Sequence, residues 1–211
     1  AESTDVDIIF KVKEKTVGTA SAGAGYTGES GLTGFIELGH NNVLGNGQSL
    51  QLHLERGSRR SDYSVSFTEP WFRGTPTLLG FSVFSFQRER DLFREDRRGG
   101  SVRVGRPLKW PDYSRGSLSY SLEDVRIDSL NALQEADRVA LSGLEFGRKV
   151  RTSTMTGSFL RNSADHPLYP RRGSRLSLTS EFAGGIFGGG TNFHKHRVEQ
   201  RWYLPSLLKA V

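Results

Sequence analysis

The stretch "GHNNVLGNGQSLQLHLERGSRRSDYSVSFTEPWF" (39–72) decides the fold. Leu50, Leu52 and Leu54 alternate with Gln51, His53 and Glu55. After "RGSRRSD", Tyr63, Val65 and Phe67 alternate with Ser64 and Ser66. Strict period-two alternation marks a strand with one apolar and one polar face. "NNVLGNG" and "EPWF" punctuate the two runs as turns. What remains to be decided is whether the apolar face meets a protein core or lipid.

Composition narrows the choice. The chain has 211 residues, of which 35% are hydrophobic, and no run approaches the ~18 apolar residues of a membrane helix. A transmembrane barrel escapes that test, because lumen-facing polar residues dilute the average. The mean hydropathy of −0.48 therefore leaves a barrel open. Glycine is abundant, at 25 residues, which suits tight turns and closely approaching strands. Cysteine is absent, which excludes a disulfide scaffold and a Cys-based zinc site. The formal charge of +6 comes without an RNA- or DNA-binding motif, so no nucleic-acid partner is expected. No signal peptide is visible at "AESTDVDIIF", and the start reads as mid-protein.

The pattern continues along the chain. "DVDIIFKVKEK" (5–15) is a short alternating strand, and "VGTASAGAGYTGESG" (17–31) a weak strand of small residues with a Gly-rich turn. Further strands are predicted at 32–40, 48–56, 62–68, 77–89, 99–108, 114–124, 148–162, 174–184 and 192–205. That makes one short leading strand and about ten antiparallel ones.

The connections fall into two sets. Segments 41–47, 69–76, 107–113 and 163–173 are rich in Pro, Asn and aromatics. Segments 56–61, 88–98, 125–147 and 184–191 are charged or Gly-rich and often longer. Every second connection belongs to the same set. In a meander every second connection lies at the same end, and outer-membrane barrels have short turns at one end and longer loops at the other. A soluble β-sandwich has no need of that asymmetry. Segment 125–147 is read as an ordered outer loop, with a short amphipathic helix through Leu130, Leu133, Ala136 and Ala140 as the alternative.

Here the residues carry a family resemblance. "VDIIFKVKEKTVGTASAGAGYTGESGLTGFIELGHNNVLGNGQSLQL" (6–52) resembles the junction between the last POTRA domain and the barrel in the BamA family of outer-membrane protein assembly factors. "NNVLGNG" and "FTEPWF" look like the first two periplasmic turns. "PLYPRRGSRLSLTSEFAGG" with "KHRVEQRWYLP" is similar to the ninth and tenth strands. The family's Arg-Gly-Phe motif of the sixth outer loop does not occur here. The expectation is therefore a fragment: residues 1–16 as the end of a last POTRA-like domain, and 17–211 as about ten of the family's sixteen barrel strands.

Several residues invite a chemical reading. His194 and His196 share a strand face at metal-compatible spacing, but no third ligand is evident. His166 beside Asp165 could suggest a hydrolase, yet it lies in a Pro-rich turn. "GGIFGGG" lacks the Lys-Ser/Thr of a phosphate loop and reads as a hairpin loop. The charged segment 88–98 reads as solvated, with lipopolysaccharide phosphates as the alternative contact.

The first strand stands apart. "GTASAGAG" (18–25) lacks bulky side chains, and small residues weaken a strand's hold on its neighbour. It reads either as a thin stretch of wall or as a seam that opens. The resemblance implies the seam: Gly18, Thr19, Ala20, Ser21, Ala22, Gly23, Ala24, Gly25 and Tyr26 would bind client strands by β-augmentation. The expectation is thus an all-β antiparallel meander, part of a transmembrane barrel in the bacterial outer membrane. It would act as a non-enzymatic insertase with no metal or other cofactor. Its partners would be unfolded outer-membrane clients, membrane lipid and accessory assembly lipoproteins. Alternatives are a TamA-like or two-partner secretion transporter, a passive pore, and a soluble β-sandwich binding module.

Overall fold

The computed structural model describes residues 17–28, 31–129 and 146–205. The leading segment 5–15, residues 1–16 as a domain end, and the helix alternative at 130–140 lie outside these residues. Among the described residues ten strands run in order: β1 Gly18–Thr27, β2 Gly31–Val43, β3 Gln48–Gly57, β4 Arg60–Glu69, β5 Leu78–Glu89, β6 Phe93–Pro107, β7 Ser114–Ser129, β8 Lys149–Asn162, β9 Gly173–Ala183 and β10 Phe193–Tyr203. Each pairs antiparallel with the next in a single ten-stranded sheet ordered β1 to β10. Among the described residues there is no second layer, which removes the sandwich alternative.

Register sorts the side chains onto two faces. Leu38, Leu52, Val65, Val83 and Gly100 lie across one another from β2 to β6. Val102, Tyr120, Met155 and Phe182 do so from β6 to β9. The opposite face carries Gln51–Ser66–Ser82–Ser101–Ser121–Thr154 in the same way. Among the described residues Ala183 is the single buried hydrophobic side chain, whereas Val83 is 65% exposed. An apolar face this wide without protein cover is a lipid face, since soluble monomers rarely expose contiguous patches beyond a few hundred Å². The leucines of the opening stretch accordingly meet lipid, and Gln51, His53 and Glu55 face the lumen.

The lumen side is more than polar. Phe84 and Phe86 stack at 4.9 Å between centroids on that face. Gly99, across from Phe84, makes room: a Cβ there would sit 2.8 Å from the Phe84 ring and 2.5 Å from the Leu122 carbonyl oxygen. A ladder of charge runs across β2 to β4. Glu37 meets His53 at 2.9 Å, His53 meets Glu55 at 3.5 Å, and Arg60 bridges Glu55 at 3.4 Å to the buried Asp62.

Two expected loops are partly strand. Of segment 88–98, only 90–92 lies outside β5 and β6, because pairing continues through Glu89↔Arg94. Of segment 125–147, residues 125–129 extend β7 against Arg97–Phe93. Cross-strand charge pairs sustain the extension: Arg94 to Glu89 at 2.8 Å and Arg97 to Glu123 at 3.5 Å. Strands β6 and β7 reach 15 and 16 residues, longer than the ~9–11 that cross a bilayer. On the outer face the apolar band ends where Arg98, Asp124 and Arg151 line up across β6, β7 and β8. Similarly, residues 41–43 of the first expected turn belong to β2, after a register shift between His40 and Val43.

The turn that remains is built as its residues dictate. Asn42 accepts from the Gly47 amide through Oδ1 at 2.6 Å, and Gly45 and Gly47 take φ of 78° and 72°. Connections 44–47, 70–77, 108–113 and 163–172 share one end of the sheet, and 58–59, 90–92, 146–148 and 184–192 share the other. In intact cells, labelling reagents should reach cysteines placed at 58 or 91 and leave those placed at 73 or 168 untouched. Labelling of the 70–77 turn from outside would contradict this sidedness.

Candidate functional site: the free edge of the first strand

Strand β1 is bonded on one side alone among the described residues. The Asn41 amide donates to the Val17 carbonyl at 2.9 Å, so this facing pair is hydrogen-bonded. Alternation along the register from Gly18↔His40 to Thr27↔Gly31 then fixes every other position. Thr19, Ser21, Gly23, Gly25 and Thr27 turn their backbone groups to β2. Gly18, Ala20, Ala22, Ala24 and Tyr26 turn theirs to the open edge. The nine residues expected as a seam thus divide into two sets of different chemistry. Ser21 and Gly23 hold β1 to the sheet, and Ala22 between them turns a donor and an acceptor to the edge that is unpaired among the described residues.

Side chains follow the same parity. Ala20, Ala22 and Ala24 lie opposite Leu38, Ile36 and Gly34 on the lipid face, with Tyr26 opposite Leu32. The wall is therefore one methyl thick over most of β1, against full leucines on β3. On the lumen face Phe35 of β2 lies over Gly23: a Cβ at Gly23 would stand 2.6 Å from the ring. Thr19 packs against Gly39, where a Cβ would lie 2.8 Å from its hydroxyl oxygen. These contacts lock β1 to β2 in one register while leaving its other edge bare. The "GTASAGAG" signal located the strand, but Phe35 carries no signal in the sequence that points to Gly23.

Behind the seam, the lumen face opens into a depression of about 270 Å³ lined by Thr19, Ser21, Glu37, His53, Ser64 and Ser66, among others. Glu37 lies opposite Ser21, yet its carboxylate meets His53 on β3. Its charge is thus drawn toward the wall rather than toward β1.

The other candidates have structural duties. Asp165 accepts the backbone N–H groups of Arg171 at 2.8 Å and Arg172 at 3.1 Å, in that order holding its carboxyl below the usual range. His166 accepts from the Leu168 and Tyr169 amides through Nδ1 at 3.1 and 2.9 Å. Both side chains build the 163–172 turn. His194 and His196 sit edge-on to Phe182 on the lipid face, at 5.1 and 5.5 Å.

A ten-stranded meander with one lipid face, one lumen face and a thin leading edge defines the wall of an outer-membrane β-barrel. The Omp85 superfamily domain matches residues 42–209, and the chain belongs to that superfamily. It is 23% identical to the outer membrane protein assembly factor BamA of Neisseria meningitidis over 95% of this chain and 26% of that protein. It is 26% identical to BamA of Nitratidesulfovibrio vulgaris over 94% of this chain and 24% of that protein. A chloroplastic outer envelope protein 80 of Arabidopsis thaliana is 30% identical over 54% of this chain and 17% of that protein. The chain thus spans about a quarter of the BamA relatives it matches. The crystal structure of Haemophilus ducreyi BamA lacking POTRA domains 1–3 superimposes with a TM-score of 0.55 at 18% identity, over 82% of this chain and 35% of that one. The chain is a wall segment of a bacterial outer-membrane barrel of the Omp85 type.

Proposed function

We propose that this chain is the leading part of the barrel of an outer-membrane protein assembly factor, and that the open edge of β1 is the template on which client strands form. The observation that carries the reading is the row of edge-facing backbone groups at Gly18, Ala20, Ala22, Ala24 and Tyr26, set on a strand of small side chains. An incoming strand adds by main-chain hydrogen bonds, so the template need not recognise a client's side chains. The small lipid-face side chains of β1, Ala20, Ala22 and Ala24, remove steric selection as well. The names of the relatives agree with this role. On the same reading, residues 1–16 end a POTRA-like domain, and accessory lipoproteins complete the machine.

The test is site-specific crosslinking of a stalled client strand in the full-length protein, with photoreactive residues along 18–26 and at one position on each of β3, β5 and β8. Crosslinks concentrated on 18–26 are expected. Crosslinks spread evenly around the wall, or confined to lumen positions such as Gln51 and Ser82, would sink the template reading.

A further inference from the structure

The loop between β9 and β10, "GGIFGGGTN" (184–192), does not stand clear of the sheet. The Gly184 amide donates to the Ser153 carbonyl at 2.9 Å, and the Gly190 amide to that of Arg151 at 2.7 Å. Gly189 bridges Thr152. Gly184, Gly185, Gly188 and Gly189 take φ of 73°, 58°, 74° and 111°, which side-chain-bearing residues rarely adopt. The loop is thereby folded back over the upper end of β8. Ser153 beneath it is 1% exposed and donates to the Tyr120 hydroxyl oxygen at 2.7 Å.

The direction of the fold-back matters. Phe187 reaches Tyr120 of β7, with ring centroids 6.4 Å apart. Tyr120 belongs to the lipid face, in line with Val102 and Met155. It lies four residues along β7 on the membrane side of Asp124, which ion-pairs with Arg151 and Lys149 at 2.8 Å each. Phe187 thus drops past the first charged row of the outer face and onto the apolar band, with Ile186 next to it in the chain. Ile186, beside Phe187, is 95% exposed, with no protein group over it among the described residues.

From this placement we infer that the β9–β10 loop is a lipid-inserted wedge: Ile186 enters the acyl region just beneath the headgroups, with Phe187 braced on Tyr120. The occupant is the membrane leaflet at the loop end, because the surface on which the loop lies is continuous with the lipid face. Polar Thr191 and Asn192 turn the chain back out, Asn192 accepting the Gly185 amide at 2.8 Å. The wedge gives this wall segment a fixed depth at the interface, as amphipathic anchors do elsewhere. It rests on the outward assignment of the apolar face.

The test uses the full-length protein, folded into phospholipid bilayers, with a nitroxide on Ile186→Cys. Val83→Cys serves as the lipid-face reference and Ser64→Cys as the lumen reference. Molecular oxygen, which concentrates in lipid, and a neutral nickel chelate, which stays in water, compete to relax the label. At position 186 oxygen should dominate, with a depth between headgroup and Val83. Dominance of the chelate would place the loop in water, and protection from both agents would place it under protein; either overturns the wedge. If Val83→Cys itself failed to favour oxygen, the lipid-face assignment would fall instead.

Discussion

Leu52→Arg is expected to block insertion of the full-length protein, and Gln51→Arg to leave it intact. The two positions are adjacent, and in sequence they differ only in polarity. Leu52 lies between Leu38 and Val65 on the lipid face. Gln51 lies between Gly39 and Ser66 on the lumen face. An arginine at mid-membrane on the outer face costs about 2–4 kcal/mol, while one in a water-filled lumen costs little. That is roughly a 30- to 700-fold shift in the insertion equilibrium, at about 1.4 kcal/mol per tenfold. The readout is the fraction of outer-membrane protein that migrates as a folded, heat-modifiable species. Equal tolerance at 51 and 52 would refute the face assignment. Equal damage would mean that β3 has no water-facing side.

How much of this was legible in the sequence follows from what each feature depends on. Alternation is a local property, so Leu50–Gln51–Leu52–His53–Leu54 declared its strand and its faces directly. The ten strands and their order follow from a run of such segments joined by turns. Segment 88–98 misled because Arg and Glu in a row read as a solvated loop. In the fold, Arg94 lies across from Glu89 and Arg97 reaches Glu123, so charges carry the strand pairing above the membrane. That complementarity exists between strands and is invisible along either one. The Phe84–Phe86 stack broke the polar-inside rule for a similar reason: it depends on Gly99 across the ladder. The thinness of β1 was plain from "GTASAGAG". Which of its residues point their amides outward was not, because that parity is set by one bond, Asn41 to Val17.

That parity sharpens the second large expected effect. Ala22→Pro should abolish assembly activity while the barrel still folds. Proline removes the backbone donor at its own position and is excluded from paired strand interiors, but tolerated where the amide faces away from the sheet. At Ala22 the amide faces the open edge, so the β1–β2 ladder keeps every bond and the lost donor belongs to the template alone. Each ladder bond is worth about 1 kcal/mol in water and more where lipid excludes competing water. A single proline would also hold an incoming strand off through its ring. Ser21→Pro makes the contrast, since its amide bonds β2 opposite Glu37 and its loss should loosen β1 from the wall. Ala22→Ser keeps the donor and adds one hydroxyl, and should be mild. The measurement is the yield of folded client barrels from the reconstituted full-length protein, alongside its own folded fraction. Full client yield with Ala22→Pro in a correctly folded barrel would mean that clients do not form on this edge, and the role of the small residues in β1 would reduce to a thin stretch of wall.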